Sequence, residues 1–488
     1  MPRFLAHAAV AALALAVAAP LAAADDTPQL YSGFTLLDPE TRTTTPDAWL
    51  VVREGRIDRV GSGALPSGDY ERHDMAGLYA LPGLIDAHGH LTAGPQRVTM
   101  VDGAPRIEIT TGDEFSRLNG AVALAFGATS VRDPGGAADA AARYDAMIAS
   151  GAWIGPEALH AGEIIQPPPF VGRSFAYPRT PAEWDAEAAR QAAAGMTYFK
   201  LYVGLTEEEL ALGAKAAKAH GLIPIAHLNG VSWTRALELG VEQFEHALPT
   251  SPALLEPEAR AQYAFGADYM TRWWELADLD GPLMRELVAR LVAQRAEVDL
   301  TTMVNELLYF ADEWETRFPE FAGELPDYFH PEMLAALASN YAAMAAVPPE
   351  QLARSKAVWP KVLAFVRLLH EGGVRLMIGT DGTGGSGLGY ELQNHVEAGI
   401  PVWEVLRMVT SGNAELIGLT DTGRIAPGLE ADMLFLKADP LADVGNIEQV
   451  AFVVDNGRLH EREALLDVAR GIASAARERM SAAEGKKP

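Results

Sequence analysis

Between residues 81 and 420 the sequence alternates, eight times, a strand-length apolar run with a helix-length amphipathic run. No other feature restricts the fold as much. Consecutive parallel strands need a crossover at every link, and a helix supplies it. The strand runs are "GLIDAHGH", "GATSVRD", "ALHAGEII", "MTYFKLYV", "LIPIAH", "VEQFEH", "VDLTTMV" and "VRLMIGTD". The helical runs carry their own punctuation. Thr180-Pro181-Ala182-Glu183 and Thr206 to Glu209 read as capping boxes, and Gly221 closes the second of those helices. "PLMRELVARLVAQRA" and "WPKVLAFVRLLHEGG" are amphipathic at helical spacing. The pattern predicts an α/β chain, a (β/α)8 barrel over residues 81–420. Residues 250–281 and 308–356 are long connections after the sixth and seventh strands, expected above the mouth as lids or specificity loops, or as contacts between copies.

The flanks read differently. Glu54-Gly55 and Asp455-Asn456-Gly457 join short apolar runs with hairpin chemistry. Residues 25–80 and 421–462 are therefore expected to form one small β-sandwich domain, and residues 463–488 an Ala-rich helical tail. Residues 1–24 have an early Arg3, an Ala/Leu/Val stretch, and Ala22 and Ala24 at the small-residue positions. That is the layout of a signal peptide, which implies a secreted or periplasmic chain with no membrane association after its removal. There is no cysteine, so no disulfide or thiolate ligand is available. A net charge of −26 argues against nucleic acid as partner, and a homo-oligomer stays open.

In a barrel of this kind, reactive groups sit at the carboxyl ends of strands. Those ends carry His88 and His90 (first), Lys200 (fourth), His227 (fifth), His246 (sixth) and Asp381 (eighth). An H-x-H pair on a strand points both rings to one face. Neutral imidazoles and a carboxylate suit zinc and similar divalent ions. A lysine beside cations must lose its proton, and the free amine can take up carbon dioxide to become N6-carboxylysine, a bridging anion. That gives two divalent ions: one on His88, His90 and Asp381, the other on His227 and His246, with modified Lys200 between them. A shared water, acidified to hydroxide, is the expected nucleophile, and Asp381 the proton carrier. The alternative is an ordinary salt-bridged Lys200 and a single metal.

At these residues the sequence resembles the amidohydrolase superfamily. "PGLIDAHGH", "FKLYV", "PIAH", "FEHA" and "IGTD" match its ligand strands in order, and "SGNAELIGLTDTGRIAPGLEADMLFL" is similar to its passage into the terminal sheet. The resemblance is greatest to members related to imidazolonepropionase and Xaa-Pro dipeptidase. Lys200 implies the two-metal subtype, which makes imidazolonepropionase itself the lesser analogue. Dipeptidase members often carry Gly-Gly-His after the third strand. Here that place reads "AGEIIQPPPF", which puts free dipeptides in doubt.

The implied activity is hydrolysis of a small amide or peptide bond, in a dipeptide or an N-acyl amino acid. An esterase, lactonase or cyclic-amide hydrolase would use the same site, and a non-catalytic metal-containing binding protein is a third class. Arg132, Tyr202 and Tyr309 are candidate substrate contacts, with Arg132 equally readable as a structural ion pair and Tyr202 as core; Trp273, Trp274, Tyr309 and Phe310 read as pocket residues or as lid packing. His160, placed at the start of its strand, reads as structural, and His330 and His395 as solvated. Gly382, Gly384 and Gly387 form G-x-G-x-x-G, but more helix follows where a dinucleotide fold needs another parallel strand.

Overall fold

The eight apolar runs form the strands Leu84–Asp86, Ala128–Asp133, Glu157–His160, Tyr198–Leu201, Ile223–Ala226, Gln243–Phe244, Glu297–Asp299 and Arg375–Met377 in this computed structural model. It describes residues 27–101, 104–264, 266, 268–382 and 386–484. The expected leader, residues 1–24, lies outside the described residues, as does Gly384. Ala128–Asp133 and Tyr198–Leu201 are buried at every position, as parallel strands covered on both faces must be. The first three strands pair in parallel, and so do the fourth to the eighth. Ala161 bridges Tyr198 between the third and fourth strands. The eighth meets the first through Ala87 N–H to Ile378 O at 3.0 Å and a parallel bridge between Gly89 and Gly382. This is the α/β barrel that the alternation predicts.

The helices start where the sequence marks them. Thr180 accepts the Glu183 amide with Pro181 in the first turn, and Thr206 and Glu209 make a reciprocal box. One side chain locks the ends of the sheet together. Asn413, fully buried, donates to Ile85 O (2.6 Å) and Ile378 O (2.8 Å) and accepts from Ile378 N–H (3.1 Å). It sits where a π-helical turn, Met408–Gly412, passes into helix Asn413–Ile417.

Strands from both flanks meet in one β domain, laid out as one continuous sheet where a sandwich is expected. They belong to a single eight-stranded sheet in which Tyr79–Pro82 pairs with Gln29–Asp38 on one side and Met433–Leu436 on the other. Backbone bonds Ile57 N–H to Leu429 O and Ala431 N–H to Gly55 O tie the N-terminal hairpin to the C-terminal segment. Tyr31, Phe34, Leu50, Met433 and Phe435 fill the core of this domain. Helix Arg462–Glu484 leaves it and lies on helix Asp113–Ala125.

A long hairpin, Ala93–Val101 with Ala104–Thr111, rises after the first strand. The connection after the seventh strand forms helices Pro319–Tyr328 and Pro331–Ala345, the latter beside the hairpin.

Candidate active site

The chain turns sharply at the end of the first strand. Asp86, fully buried, accepts from His88 N–H (3.0 Å), Thr380 N–H (3.1 Å) and the Thr380 hydroxyl (2.7 Å). This clamp holds the H-x-H segment against the segment that carries Asp381. Gly379 permits the approach, because a Cβ there would stand 2.5 Å from His88 N. Three non-glycine residues at the mouth have left-handed backbones: His246 (φ 66°), Thr301 (φ 39°) and Asp381 (φ 53°). Such conformations cost energy and cluster at functional sites.

The side chains then converge. Asp381 Oδ1 lies 3.2 Å from His88 Nε2 and 3.0 Å from His90 Nε2. The rings of His88 and His246 are 4.9 Å apart, and those of His246 and His227 are 4.4 Å apart. His88, His90 and Asp381 form one candidate metal group, and His88, His246 and Asp299 another. The second nitrogen of each ligand-type ring is oriented by the protein, as metal-binding histidines require. His88 Nδ1 meets Asp299 (2.5 Å) and Glu245 (2.8 Å), His90 Nδ1 meets Gly135 O (3.1 Å), and His246 Nδ1 meets the Thr301 hydroxyl (2.6 Å). His227 differs. Both its ring nitrogens are buried and find no hydrogen-bond partner. Two orphaned nitrogens beside this donor set fit a cation, which would satisfy one of them.

The electrostatics agree with that fit. Burial, then the neighbouring Lys200, lowers the His227 pKa to about 3, so the ring is neutral. Burial also lowers His246 well below its ordinary value. Burial opposes ionisation of Asp381, but His88 and His90 outweigh it and hold the carboxyl well below the usual range. Burial pushes the Lys200 pKa down, against the pull of Glu245, 3.8 Å away.

Two acids that the sequence reading passed over complete the floor. Glu245 accepts a bidentate pair from Arg132 at 2.9 and 3.0 Å. Arg132 and Lys200 outweigh burial and keep Glu245 ionised. Asp299, raised to about 6 by burial and still bound to His88, sits beside them. The signal was available: an acid inside "VEQFEH" or "VDLTT" is a buried charge that requires a partner.

Several expectations need correction. Arg132 is fully buried, bound to Glu245, Gln243 and Ala87 O, and does not line the cavity; it is the structural ion pair rather than a substrate contact. Tyr309 packs against Trp359 in the interior and does not line the cavity, and Trp273, Trp274 and Phe310 are core residues too. His160 ends its strand, and bonds Asp145 at 2.9 Å. His330 and His395 are buried rather than solvated: His330 caps helix Pro331–Ala345, and His395 Nδ1 meets Glu391 O at 2.7 Å. Tyr202 does line the cavity, its ring 4.9 Å from that of His227.

Above the floor opens a cavity of about 300 Å3, lined at its base by His88, His90, Lys200, His246 and Asp381. Its size suits a small molecule.

Comparison with known proteins agrees with this architecture. Residues 79–459 match the family described as the amidohydrolase family. The imidazolonepropionase of Cupriavidus pinatubonensis is 35% identical over 120 residues, 24% of this chain and 28% of the relative. That of Sphingopyxis alaskensis is 28% identical over 268 residues, 46% of this chain and 66% of the relative. The chain thus spans between 28% and 66% of the length of these two relatives. The solved structure of a Xaa-Pro dipeptidase with bound methionine in the active site is 21% identical, with a TM-score of 0.62 over 89% of this chain and 100% of that one. At that identity the likeness speaks for the fold.

Proposed function

Because the chain belongs to the amidohydrolase family, and so is a metal-dependent hydrolase acting on carbon–nitrogen bonds, we propose that it uses a two-metal centre to hydrolyse a small amide or peptide bond. The observation that carries this reading is the buried cluster at the cavity floor: His88 Nε2, His90 Nε2 and Asp381 Oδ1 in mutual contact, with His246, Lys200 and the unpartnered His227 beside them. His88, His90 and Asp381 would hold one ion, His227 and His246 the other, with Lys200 as N6-carboxylysine linking them. Zinc suits this donor set. Held there, the ions would supply an acidified water and a Lewis acid for the scissile carbonyl.

This chain's residues do the rest. Asp299 and Glu245 fix the His88 ring, and Arg132 keeps Glu245 charged. Asp381, ionised and at the cavity floor, takes the proton released on attack and passes it to the leaving amine. Burial of Lys200 favours the free amine that carbamate formation needs. We also propose export: residues 1–24 direct the chain out of the cytoplasm and are removed. N-terminal sequencing of the mature chain checks this.

The central test pairs metal analysis with hydrolysis of a panel of small amides, esters and lactones. Two equivalents of metal and amide cleavage abolished by chelation are expected. Lys200→Ala should fall to about one equivalent and lose most activity, and labelled bicarbonate should give a carbamate signal only when Lys200 is present. Full activity after chelation, or an unchanged Lys200→Ala variant, would sink the proposal.

A further inference from the structure

The cavity walls come from three separate elements, and each brings apolar groups. The hairpin contributes Ile109, the loop after the third strand Ile164, Phe170 and Phe175, and the insertion after the seventh strand Phe329 and Met333. Aromatic rings run outward from the floor. Tyr202 stands edge-on to His227, Phe170 lies 5.9 Å beyond Tyr202, and Phe175 lies 5.3 Å beyond Phe170. Spacings of this kind also suit an inserted aromatic or branched group. Apart from Tyr202, the polar side chains above the floor are the amides Gln96 and Asn340.

The lining also lacks a counter-ion for a carboxylate. Among the described residues, its only basic side chains are the floor groups His88, His90, Lys200 and His246, which the proposed metal centre occupies. The undescribed positions between 27 and 484 include no Arg, Lys or His in the sequence. On the wall-forming hairpin and loop, Arg97 pairs with Glu332, Arg106 with Glu108 and Arg173 with Asp139, and Arg179 lies over the Tyr177 ring; none of them lines the cavity. A substrate carboxylate in this cavity would lose its hydration and gain no counter-ion above the floor, only the neutral donors of Gln96, Asn340 and Tyr202, in a protein of net charge −26.

We propose that the part of the substrate filling this cavity is uncharged and apolar, so that the enzyme selects neutral amides with aromatic or branched flanks over free dipeptides and N-acyl amino acids. This rests on the hydrolase reading of the floor and narrows its substrate class. The test uses a matched pair, phenylacetyl-leucinamide and phenylacetyl-leucine, which differ by one carboxamide against one carboxylate. Release of phenylacetate by the zinc-loaded chain gives kcat/KM, and calorimetry on the full chain without added metal gives affinity. The neutral compound should lead by at least about tenfold in each. Asn340→Arg, which brings a cation to the rim, should narrow both gaps. Equal treatment of the pair, or preference for the carboxylate, would overturn the inference, as would gaps that Asn340→Arg leaves unchanged. If neither compound is cleaved but the affinity gap and its response to Asn340→Arg hold, the amidase reading fails and this inference stands. If both are cleaved equally well, the reverse is true.

Discussion

Single residues decide whether the floor of this barrel holds its shape. Arg132 and Glu245 are a buried ion pair, and removing one partner of such a pair typically costs about 3–5 kcal/mol. Arg132→Met is therefore expected to destabilise by that order in denaturant unfolding, although Arg132 touches nothing in the cavity. Asn413→Ala should cost about 2–3 kcal/mol, since it removes three buried hydrogen bonds to Ile85 O, Ile378 O and Ile378 N–H, of which Ile378 O keeps the bond from Ala87 N–H. His160 offers a pH test. Burial lowers its pKa, but the carboxylates of Asp133, 3.5 Å from Nδ1, and Asp145, hydrogen-bonded to Nε2 at 2.9 Å, raise it to about 9 in the fold, above the ordinary 6.5 of the unfolded chain. Its stabilisation is then complete below about pH 6.5 and lost as pH rises through 9. Thermal unfolding across that window should show a decline that His160→Gln flattens. The six residues at the strand ends were legible because barrel geometry gives that position a meaning. Glu245 and Asp299 were not read, because their partners lie on strands distant in sequence. Arg132 could be read either as a mouth residue or as an ion pair, and it is the ion pair; a strand end does not reveal which way its last long side chain points.

At the scale of elements, what was legible depended on periodicity. The cap at Thr180, the capping box at Thr206 and the Glu54-Gly55 and Asn456-Gly457 turns have local chemistry, and the structure has each of those starts and turns, although Glu183 closes on Arg179 N–H and so leaves the Thr180 box half made. The hairpin between residues 93 and 111 was missed, although Asp102-Gly103 between alternating runs is its signal. It was passed over because the barrel pattern led the reading to expect a helix directly after the first strand. The aromatics of the two insertions, Trp273, Trp274 and Tyr309, had no period to say whether they face a pocket or a core, and they face the core. The hairpin is the element most open to test. Replacing residues 94–110 with a short glycine-serine loop removes the wall that Ile109 supplies and leaves the ligand strands untouched. Metal content should be unchanged and KM for a neutral amide should rise roughly tenfold, as the loss of one apolar contact face implies. A loss of bound metal would place the hairpin in the floor instead.

At the scale of the whole molecule, the barrel and the β domain depend on each other. Helix Arg462–Glu484 buries Leu465, Leu466, Ala469 and Ala473 in the same core that holds Leu118 and Val122 of helix Asp113–Ala125. Truncation after Glu461 should lower Tm by several degrees in calorimetry and raise light scattering, because both apolar faces become wet. The meeting of the two flanks in one sheet was readable from their turn chemistry. The curl that ties Gly55 to Ala431 was not, because nothing local encodes it. The clamp at Asp86 has a consequence in time rather than space. Its partner Thr380 is 294 residues further along the chain, and Gln29–Asp38 waits longer still for the sheet that Met433–Leu436 completes. Such distant pairings make folding slow, and a nascent chain exposes His88 and His90 well before Asp381 exists. The cation that completes the floor is therefore chosen late, from whatever compartment the finished chain folds in.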